Sequence, residues 1–305
     1  MSLWPNLIAV RLMVVSLALL TAKASLAQTA SARYPQRIVS LAPSVTETLF
    51  ALGFGNRLVG VTTYCDYPAE AKKLPKIGGF INPSLEAIAA QRPDLVIGVN
   101  DSNHPVKARE MERLGLKVAL VSVNSLDDIL KSIKSIAYMI GSPEAGEKLV
   151  AKIRQQFDEV KIRVAPAPRR RTLLTVGLRP LVAVGGRNFL DELITLAGGE
   201  NISGNAAQPW LNLPDEYVVA KAPQVIIEAG MGSDRGRVAR NWSDLKSIPA
   251  VKEHRVYVYP SDKILRPGPR IGEGLGEIAR LVHPECFAEV KPGFSKGSGC
   301  EGSRP

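Results

Sequence analysis

Side chains able to hold a ligand stand close together in the stretch VTTYCDYP, residues Val61–Pro68, which follows an apolar segment. Tyr64 and Tyr67 offer aromatic faces, Asp66 offers a carboxylate and Cys65 a thiol. Loops at the ends of buried strands in α/β proteins commonly carry binding sites, because the scaffold is rigid and loop side chains are free to face a ligand. The stretch predicts either a ligand-facing loop or a turn whose tyrosines only pack.

Three other loops add candidates for binding. Phe80 stands beside glycines in IGGFINP, and Trp210 lies between prolines in AAQPWLNLP, without the periodic apolar neighbours of a core tryptophan. The segment SDKILRPGPR follows a predicted strand, and the guanidinium of Arg266 can aim several donors into a cleft. Arg270 is expected to start the next helix. These residue types favour binding over catalysis.

Catalytic patterns are weak in this sequence. SDLK, from Ser243 to Lys246, has serine–lysine spacing but lies in a segment predicted to be a short helix leading into a strand. GEGLGE, from Gly272 to Glu277, lacks the third glycine of a dinucleotide-binding loop. No H-E-x-x-H pattern occurs. An exported hydrolase with an unrecognised nucleophile stays open as an alternative.

The N-terminus is typical of a secretory signal peptide, predicted at residues 1–27. Its apolar run, Leu12–Ala22, is too short for a membrane anchor and precedes small residues that suit cleavage. Removal lowers the net charge from +10 to +8, because Arg11 and Lys23 are lost without any acid. The remaining cations are scattered beside acids in predicted helices, which disfavours nucleic-acid binding. We therefore expect an exported, periplasmic protein.

The three cysteines are Cys65, Cys286 and Cys300. All lie in the exported part, where disulfides persist, and an odd number leaves at least one thiol free or bonded to another molecule. A Cys286–Cys300 disulfide would close a short loop and is the favoured pair. A zinc site is not expected, because no pair of cysteines or histidines has ligand spacing.

An internal repeat organises the chain. SLEAIAAQRPDLVIG aligns with PDEYVVAKAPQVIIE at an offset of 130 residues, which places Glu86 on Glu216. Each copy predicts a short helix, a proline stop and a buried strand. A second pair, ETLFALGFGNRL and ELITLAGGENIS, matches Gly53 with Gly198 as glycines that end a helix. The sequence therefore predicts two lobes built on one plan.

Alternating strands and helices predict an α/β protein whose two lobes each hold a mainly parallel sheet. SVTE, residues Ser44–Glu47, is predicted to be a capping box that opens a helix with Val45, Leu49 and Leu52 on its apolar stripe. Strands are predicted at Arg37–Ala42, Leu58–Thr62, Leu95–Val99, Val118–Val121, Thr172–Val176, Val225–Glu228 and Val256–Tyr259.

One long helix is predicted between the lobes. Pro143 suits the first helical position, and apolar residues then recur at steps of three or four through Val164. Such a helix acts as a strut, so the strand ends of both lobes face each other across a cleft of nearly fixed width. The predicted boundaries are 34–124 for the N-terminal lobe, 125–168 for the helical segment, 169–290 for the C-terminal lobe and 291–305 for a flexible tail.

The segment RIVSLAPSVTETLFALGFGNRLVGVTTYCDYP, followed by INPSLEAIAAQRPDLVI, resembles the periplasmic substrate-binding proteins of ABC importers with a rigid helical backbone, and most closely the cobalamin-binding ones. The resemblance covers about Arg37 to Phe287. It implies a binding protein, not an enzyme, that carries cobalamin or a related corrinoid as a transported ligand without a covalent cofactor or a bound metal of its own. Haem and ferric siderophores are the alternative ligands for this architecture.

The resemblance also assigns roles to single residues. Tyr64 is expected to contact the corrin ring, while Phe80 and Trp210 supply aromatic faces from their loops. Glu86 and Glu216 are expected to dock on arginines of the two permease subunits of the importer. The protein would be a monomer that meets the membrane only through that permease. The expected ligand contacts are Tyr64, Phe80, Trp210, Asp262, Arg266 and Ser44.

Overall fold

The computed structural model describes residues 34–100, 104–178, 180–229, 242–259 and 263–287 of the chain. The predicted signal peptide, the predicted tail and Cys300 lie outside these ranges. Cys65 is a buried free thiol. The pairing of Cys286 with Cys300 stays a prediction, because Cys300 is not among the described residues. No helix within the ranges given is both long and apolar enough to cross a membrane.

The N-terminal lobe is built on a parallel sheet with the strand order β2-β1-β3-β4. Apolar runs rich in Val and Ile form these strands, and the near-complete burial of β1, β2 and β3 is typical of a parallel sheet covered on both faces. The strands are β1 Ile38–Ser40, β2 Leu58–Val61, β3 Leu95–Val99 and β4 Val118–Val121. The helices are α1 Pro43–Ala51, α2 Leu85–Ala90 and α3 His104–Arg113, with 3-10 turns at Gly55–Arg57 and Ala69–Lys73.

The C-terminal lobe has a mixed sheet with the order β10-β9-β5-β6-β8, and β7 pairs with β5. The mainly parallel prediction holds for β5, β7, β9 and β10, whereas β6 runs antiparallel to β5 and β8. Its strands are β5 Arg170–Leu178, β6 Leu181–Val184, β7 Gly199–Asn201, β8 Trp210–Asn212, β9 Val225–Ala229 and β10 Val256–Tyr259. Its helices are α6 Phe189–Leu196, α7 Asp215–Lys221, α8 Pro249–Lys252 and α9 Ile271–Val282, with a 3-10 turn at Pro284–Phe287.

Two helices join the lobes, α4 Leu126–Met139 and α5 Pro143–Val164. The predicted bounds of the long helix are confirmed, and its 22 residues span about 33 Å at the helical rise. Leu149 packs against the cores of both lobes. The N-lobe core takes Ile136, Ala137 and Ile140 from this region, and the C-lobe core takes Leu126, Ile129, Leu130, Ile133, Val150, Ile153, Val160 and Val164.

The glycines of GEGLGE lie inside α9, not in a phosphate-binding loop. A Cβ on Gly272 would collide with the side chain of Gln156 on α5, and a Cβ on Gly274 would crowd Ile264. Both glycines are buried, so α9 packs closely on the long helix at Gly272 and on the segment that carries Ile264 at Gly274. The motif has a packing role.

The predicted capping box is wrong. Helix α1 begins at Pro43, its N-cap is Ala42, and no side chain caps it. Proline at the first helical position has no N–H to satisfy and a φ suited to a helix, so the helix starts without a cap. Ser44 and Glu47 are buried instead. The predicted apolar stripe is buried at Val45, Leu49 and Leu52.

The backbone repeats between the lobes as the sequence predicted. Gly53 follows α1 with φ of 86°, and Gly198 follows α6 with φ of 80°. Arg92 follows α2 and Ala222 follows α7, each with φ of 46° and each 130 positions from the other. These left-handed residues end equivalent helices. The two lobes therefore share not only the order of their elements but also the φ angles at these helix ends.

Candidate ligand-binding cleft

Cys65 anchors the loop that follows β2. Its Sγ lies 3.1 Å from Thr46 Oγ1 and 3.2 Å from Thr62 Oγ1, and the residue is buried. The neighbouring tyrosines point the other way: Tyr64 is 49% exposed and Tyr67 is 47% exposed. The loop therefore holds a small thiol inside the lobe and presents two aromatic rings at the surface.

The loop that carries Phe80 packs beside the tyrosine loop. Thr63 N donates to Gly78 O at 2.9 Å, and a Cβ on Gly79 would lie 3.9 Å from Cε2 of Tyr64. Gly78 has φ of 103°, a conformation that favours glycine. Phe80 is half-buried against the N-lobe core. The structure thus brings Tyr64 and Phe80, both predicted as ligand contacts, onto adjacent loops.

Trp210 begins the edge strand β8 of the C-terminal lobe, where it pairs with Val184. The preceding carbonyl, Pro209 O, accepts hydrogen bonds from Asn188 Nδ2 at 2.7 Å and from Gly185 N at 3.0 Å. These bonds fix the backbone while the tryptophan stays 43% exposed. The structure therefore places an exposed aromatic residue on each lobe; their joint contact with one ligand stays a prediction.

The segment after β10 reaches across to the N-terminal lobe through Arg266, which is only 7% exposed. Its Nη1 donates to Glu47 Oε1 at 2.8 Å, and its Nη2 lies 2.7 Å from Asp66 Oδ1 and 3.1 Å from the carbonyl of Tyr64. The sequence predicted donors aimed at a ligand. The structure instead engages both terminal nitrogens with the N-terminal lobe. Asp262, also predicted as a contact, lies outside the described residues.

Arg270 makes the second contact between the lobes. It is the N-cap of α9, as expected, and donates from Nε to Glu47 Oε2 at 2.7 Å and from Nη2 to Glu47 Oε1 at 2.6 Å. Its guanidinium also lies 3.8 Å from the ring centroid of Tyr67, a cation–π distance. We refer to Glu47, Asp66, Arg266 and Arg270 as the interlobe ion-pair cluster.

Ser44 lies at the same contact between the lobes. It is 6% exposed, and a Cβ on Gly268 would stand 3.3 Å from its Cα. This close approach leaves little of Ser44 at the surface of the cleft. Ser44 thus sits where the two lobes meet, and its contact with a ligand stays a prediction.

Helix α9 supports the segment that carries Arg266. Lys263 Nζ lies 2.6 Å from Glu277 Oε1 and 3.4 Å from Glu273 Oε2, and the hydroxyl of Tyr259 also donates to Glu277. Burial raises the pKa of the Glu277 carboxyl, and the nearby Arg280 opposes this effect. The segment is thus tied to α9 before it crosses to the N-terminal lobe.

The two acids predicted to dock on a permease are exposed in equivalent short helices. Glu86 lies in the first turn of α2, and Glu216 lies in the first turn of α7. The start of α2 is capped by Ser84, whose Oγ accepts from Ala87 N at 3.2 Å. Acids at helix N-termini are favoured by the helix dipole, so each carboxylate also has a modest structural role.

The chain is similar in sequence to known proteins over most of its length. A family model described as periplasmic binding protein matches residues 38–263. The vitamin B12-binding protein of Vibrio parahaemolyticus is 30% identical over 258 residues, which cover 84% of this chain and 90% of that protein. The vitamin B12-binding protein of Salmonella paratyphi A is 31% identical over 235 residues, covering 77% and 85%.

Solved structures show the same two-lobed fold. The periplasmic vitamin B12-binding protein of Vibrio cholerae superposes with a TM-score of 0.73 at 26% identity, covering 84% of this chain and 99% of that one. A periplasmic heme-binding protein from Roseiflexus also gives 0.73, at 27% identity, covering 82% and 99%. The fold is therefore common to binders of different ligands, and the chain belongs to the periplasmic binding protein family.

Proposed function

We propose that this protein captures cobalamin or a related corrinoid in the periplasm and delivers it to an ABC importer. The observation that carries the proposal is the loop after β2, whose exposed tyrosines stand on a backbone anchored by Cys65 beside the contact between the lobes. The vitamin B12-binding relatives support the choice of ligand.

A corrin suits such a surface. It is a large, partly flat disc with amides at its edge, so aromatic faces can cover the ring while a few polar groups fix its orientation. Tyr64 and Phe80 supply aromatic area from the N-terminal lobe, and Trp210 supplies it from the C-terminal lobe. Because the corrinoid would be bound through its faces and its edge, no side chain needs to coordinate the cobalt.

Haem is the second candidate, because a heme-binding protein has the same fold at a similar identity. A haem binder could use a tyrosine such as Tyr64 on the iron and a guanidinium on a propionate. The hydrolase alternative has less support. Ser243, the serine of SDLK, hydrogen-bonds to Asp244 at 3.4 Å, and the named relatives are binding proteins.

Equilibrium binding tests the proposal directly. The mature protein is titrated with cyanocobalamin, haemin and a ferric siderophore, and the absorbance spectrum of any copurified ligand is recorded. Cyanocobalamin should bind more tightly than the other two. Tight binding of haemin or of the siderophore, without binding of cyanocobalamin, would overturn the corrinoid assignment and leave the fold assignment untouched.

A further inference from the structure

Glu47 is the centre of the interlobe ion-pair cluster. It is 2% exposed, and both of its carboxylate oxygens are used: Oε1 accepts from Arg266 and Arg270, and Oε2 accepts from Arg270. The three donor–acceptor distances lie between 2.6 and 2.8 Å. One buried acid of the N-terminal lobe therefore holds two cations of the C-terminal lobe.

The cluster lies directly under the predicted ligand surface. Arg266 Nη2 donates to the backbone carbonyl of Tyr64 and pairs with Asp66 at 2.7 Å, while Arg270 lies against the ring of Tyr67. The two guanidiniums face two carboxylates, so the cluster is neutral as a whole. A ligand on the tyrosine loop would thus lie beside arginines that are already paired.

Arginine is the side chain best suited to bind a carboxylate, because its planar donors match the two oxygens. A ligand carboxylate that took the donors of Arg266 or Arg270 named above would displace Glu47 or Asp66, and breaking a buried pair is strongly unfavourable. An uncharged amide makes no such demand. Such selectivity arises from the cost imposed on the wrong ligand as much as from the contacts made with the right one.

We propose that Glu47 makes the cleft selective for ligands with uncharged edges by keeping the guanidiniums of Arg266 and Arg270 occupied. The proposal rests on the proposed function, since it concerns the edge of a corrinoid. Glu47 then determines specificity, although it is too deeply buried to contact the ligand itself. A purely structural role would instead change the affinity for every ligand by the same factor.

A matched pair of probes separates these roles. Cyanocobalamin has uncharged amides at its edge, and a cobalamin monocarboxylate differs from it by hydrolysis of one amide. The ratio of their Kd values is measured by titration for the wild type and for Glu47→Gln, with unfolding followed to confirm the fold. Glu200→Gln is the control, because it removes the same charge from an exposed position on β7.

The wild type should favour cyanocobalamin, and Glu47→Gln should shift the Kd ratio towards the monocarboxylate by about tenfold or more, as expected when a charged donor becomes available. Glu200→Gln should leave the ratio unchanged. An unchanged ratio in a folded Glu47→Gln variant that binds cyanocobalamin would overturn the proposal, and so would an equal loss for both probes.

Asp66→Asn provides a second test if Glu47→Gln does not fold. Asp66 is 37% exposed at its side chain and pairs with Arg266, so its loss should shift the ratio in the same direction by a smaller factor than the loss of the buried Glu47. An unchanged ratio there would also overturn the proposal. Tight haemin binding by the wild type without any corrinoid binding would overturn both this proposal and the proposed function, whereas corrinoid binding with a fixed ratio overturns only this one.

Discussion

The two lobes use the same device to end equivalent helices. Arg37 donates to Gln91 O at 2.6 Å at the end of α2, and Arg171 donates to Ala222 O at 3.0 Å at the end of α7. Each arginine stands at the start of the first strand of its lobe, so it links the sheet to a helix C-terminus whose carbonyls need donors. The repeat therefore extends from the backbone to side-chain contacts.

The lobes differ where a ligand is expected. The N-terminal lobe presents Tyr64 after a parallel strand, whereas the C-terminal lobe presents Trp210 on an antiparallel edge. The offset of 145 residues that matches Gly53 with Gly198 places Tyr64 on Pro209, next to Trp210. The two aromatic residues thus take neighbouring positions of the repeat, and what differs is the direction of the strands beside them. The comparison teaches that one plan can place related loops on parallel and on antiparallel strands.

The largest effect is expected from the acids that do follow the repeat. Glu86→Arg combined with Glu216→Arg should abolish ligand uptake, because two related carboxylates meeting two related guanidiniums fix the register of docking. Ligand affinity should stay at the wild-type value, since both residues are exposed and neither is a predicted ligand contact. Uptake is measured in vesicles that contain the cognate importer.

The control for this double variant is Glu112→Arg with Glu200→Arg, which reverses two other exposed acids. The control should transport at the wild-type rate. Wild-type uptake by the Glu86 and Glu216 double variant would contradict the docking role. The two equivalent acids would then only be exposed residues of two helices.

The next effect concerns the exposed aromatic residues of the two lobes. Tyr64→Ala and Trp210→Ala should each weaken corrinoid binding by about 1–3 kcal/mol without unfolding the protein, as aromatic anchors do at other interfaces. Isothermal titration against cyanocobalamin measures the loss. Tyr138→Ala removes an exposed ring from α4 and should leave the affinity unchanged. If neither loop variant binds more weakly, the ligand surface lies elsewhere.

A smaller effect is expected at the equivalent arginines. Arg37→Ala and Arg171→Ala should each lower the free energy of unfolding by about 1 kcal/mol, because each leaves helix carbonyls without a charged donor. Arg171 is the less exposed of the two and should cost slightly more. Chemical denaturation gives both values, with Lys152→Ala on the exposed face of α5 as the control. Opposite signs at the two positions would contradict their equivalence.

The smallest change is expected in the relative position of the lobes. Because α5 is continuous and the interlobe ion-pair cluster joins the lobes, the radius of gyration should be nearly the same with and without ligand. Small-angle scattering of the free and the saturated protein measures it. A large decrease on saturation would show that the lobes close around the ligand as hinged bodies.

Local patterns predicted much of the fold. The helix Pro143–Val164 and the strands Leu95–Val99, Val118–Val121 and Val256–Tyr259 have the predicted bounds, because periodicity, proline and β-branched runs act within one element. The antiparallel β6 was missed, although the two residues between Leu178 and Leu181 permit a hairpin and no crossover.

The least predictable feature of the site was the interlobe ion-pair cluster. The spacing of Ser44 and Glu47 imitates a capping box, and the partners of Glu47 lie 219 and 223 positions away. No local pattern can report such a contact. The same limit applies to Arg266, which was predicted to contact a ligand, because its partners in the N-terminal lobe depend on how the lobes meet.

The helices between the lobes also bear on how the protein unfolds. Ile136 completes the N-lobe core, Ile133 and Ile153 complete the C-lobe core, and Leu149 belongs to both. Neither core is whole without α4 and α5, so melting of either helix exposes apolar surface in both halves at once. The two halves are therefore expected to unfold as one cooperative unit, with a single calorimetric transition.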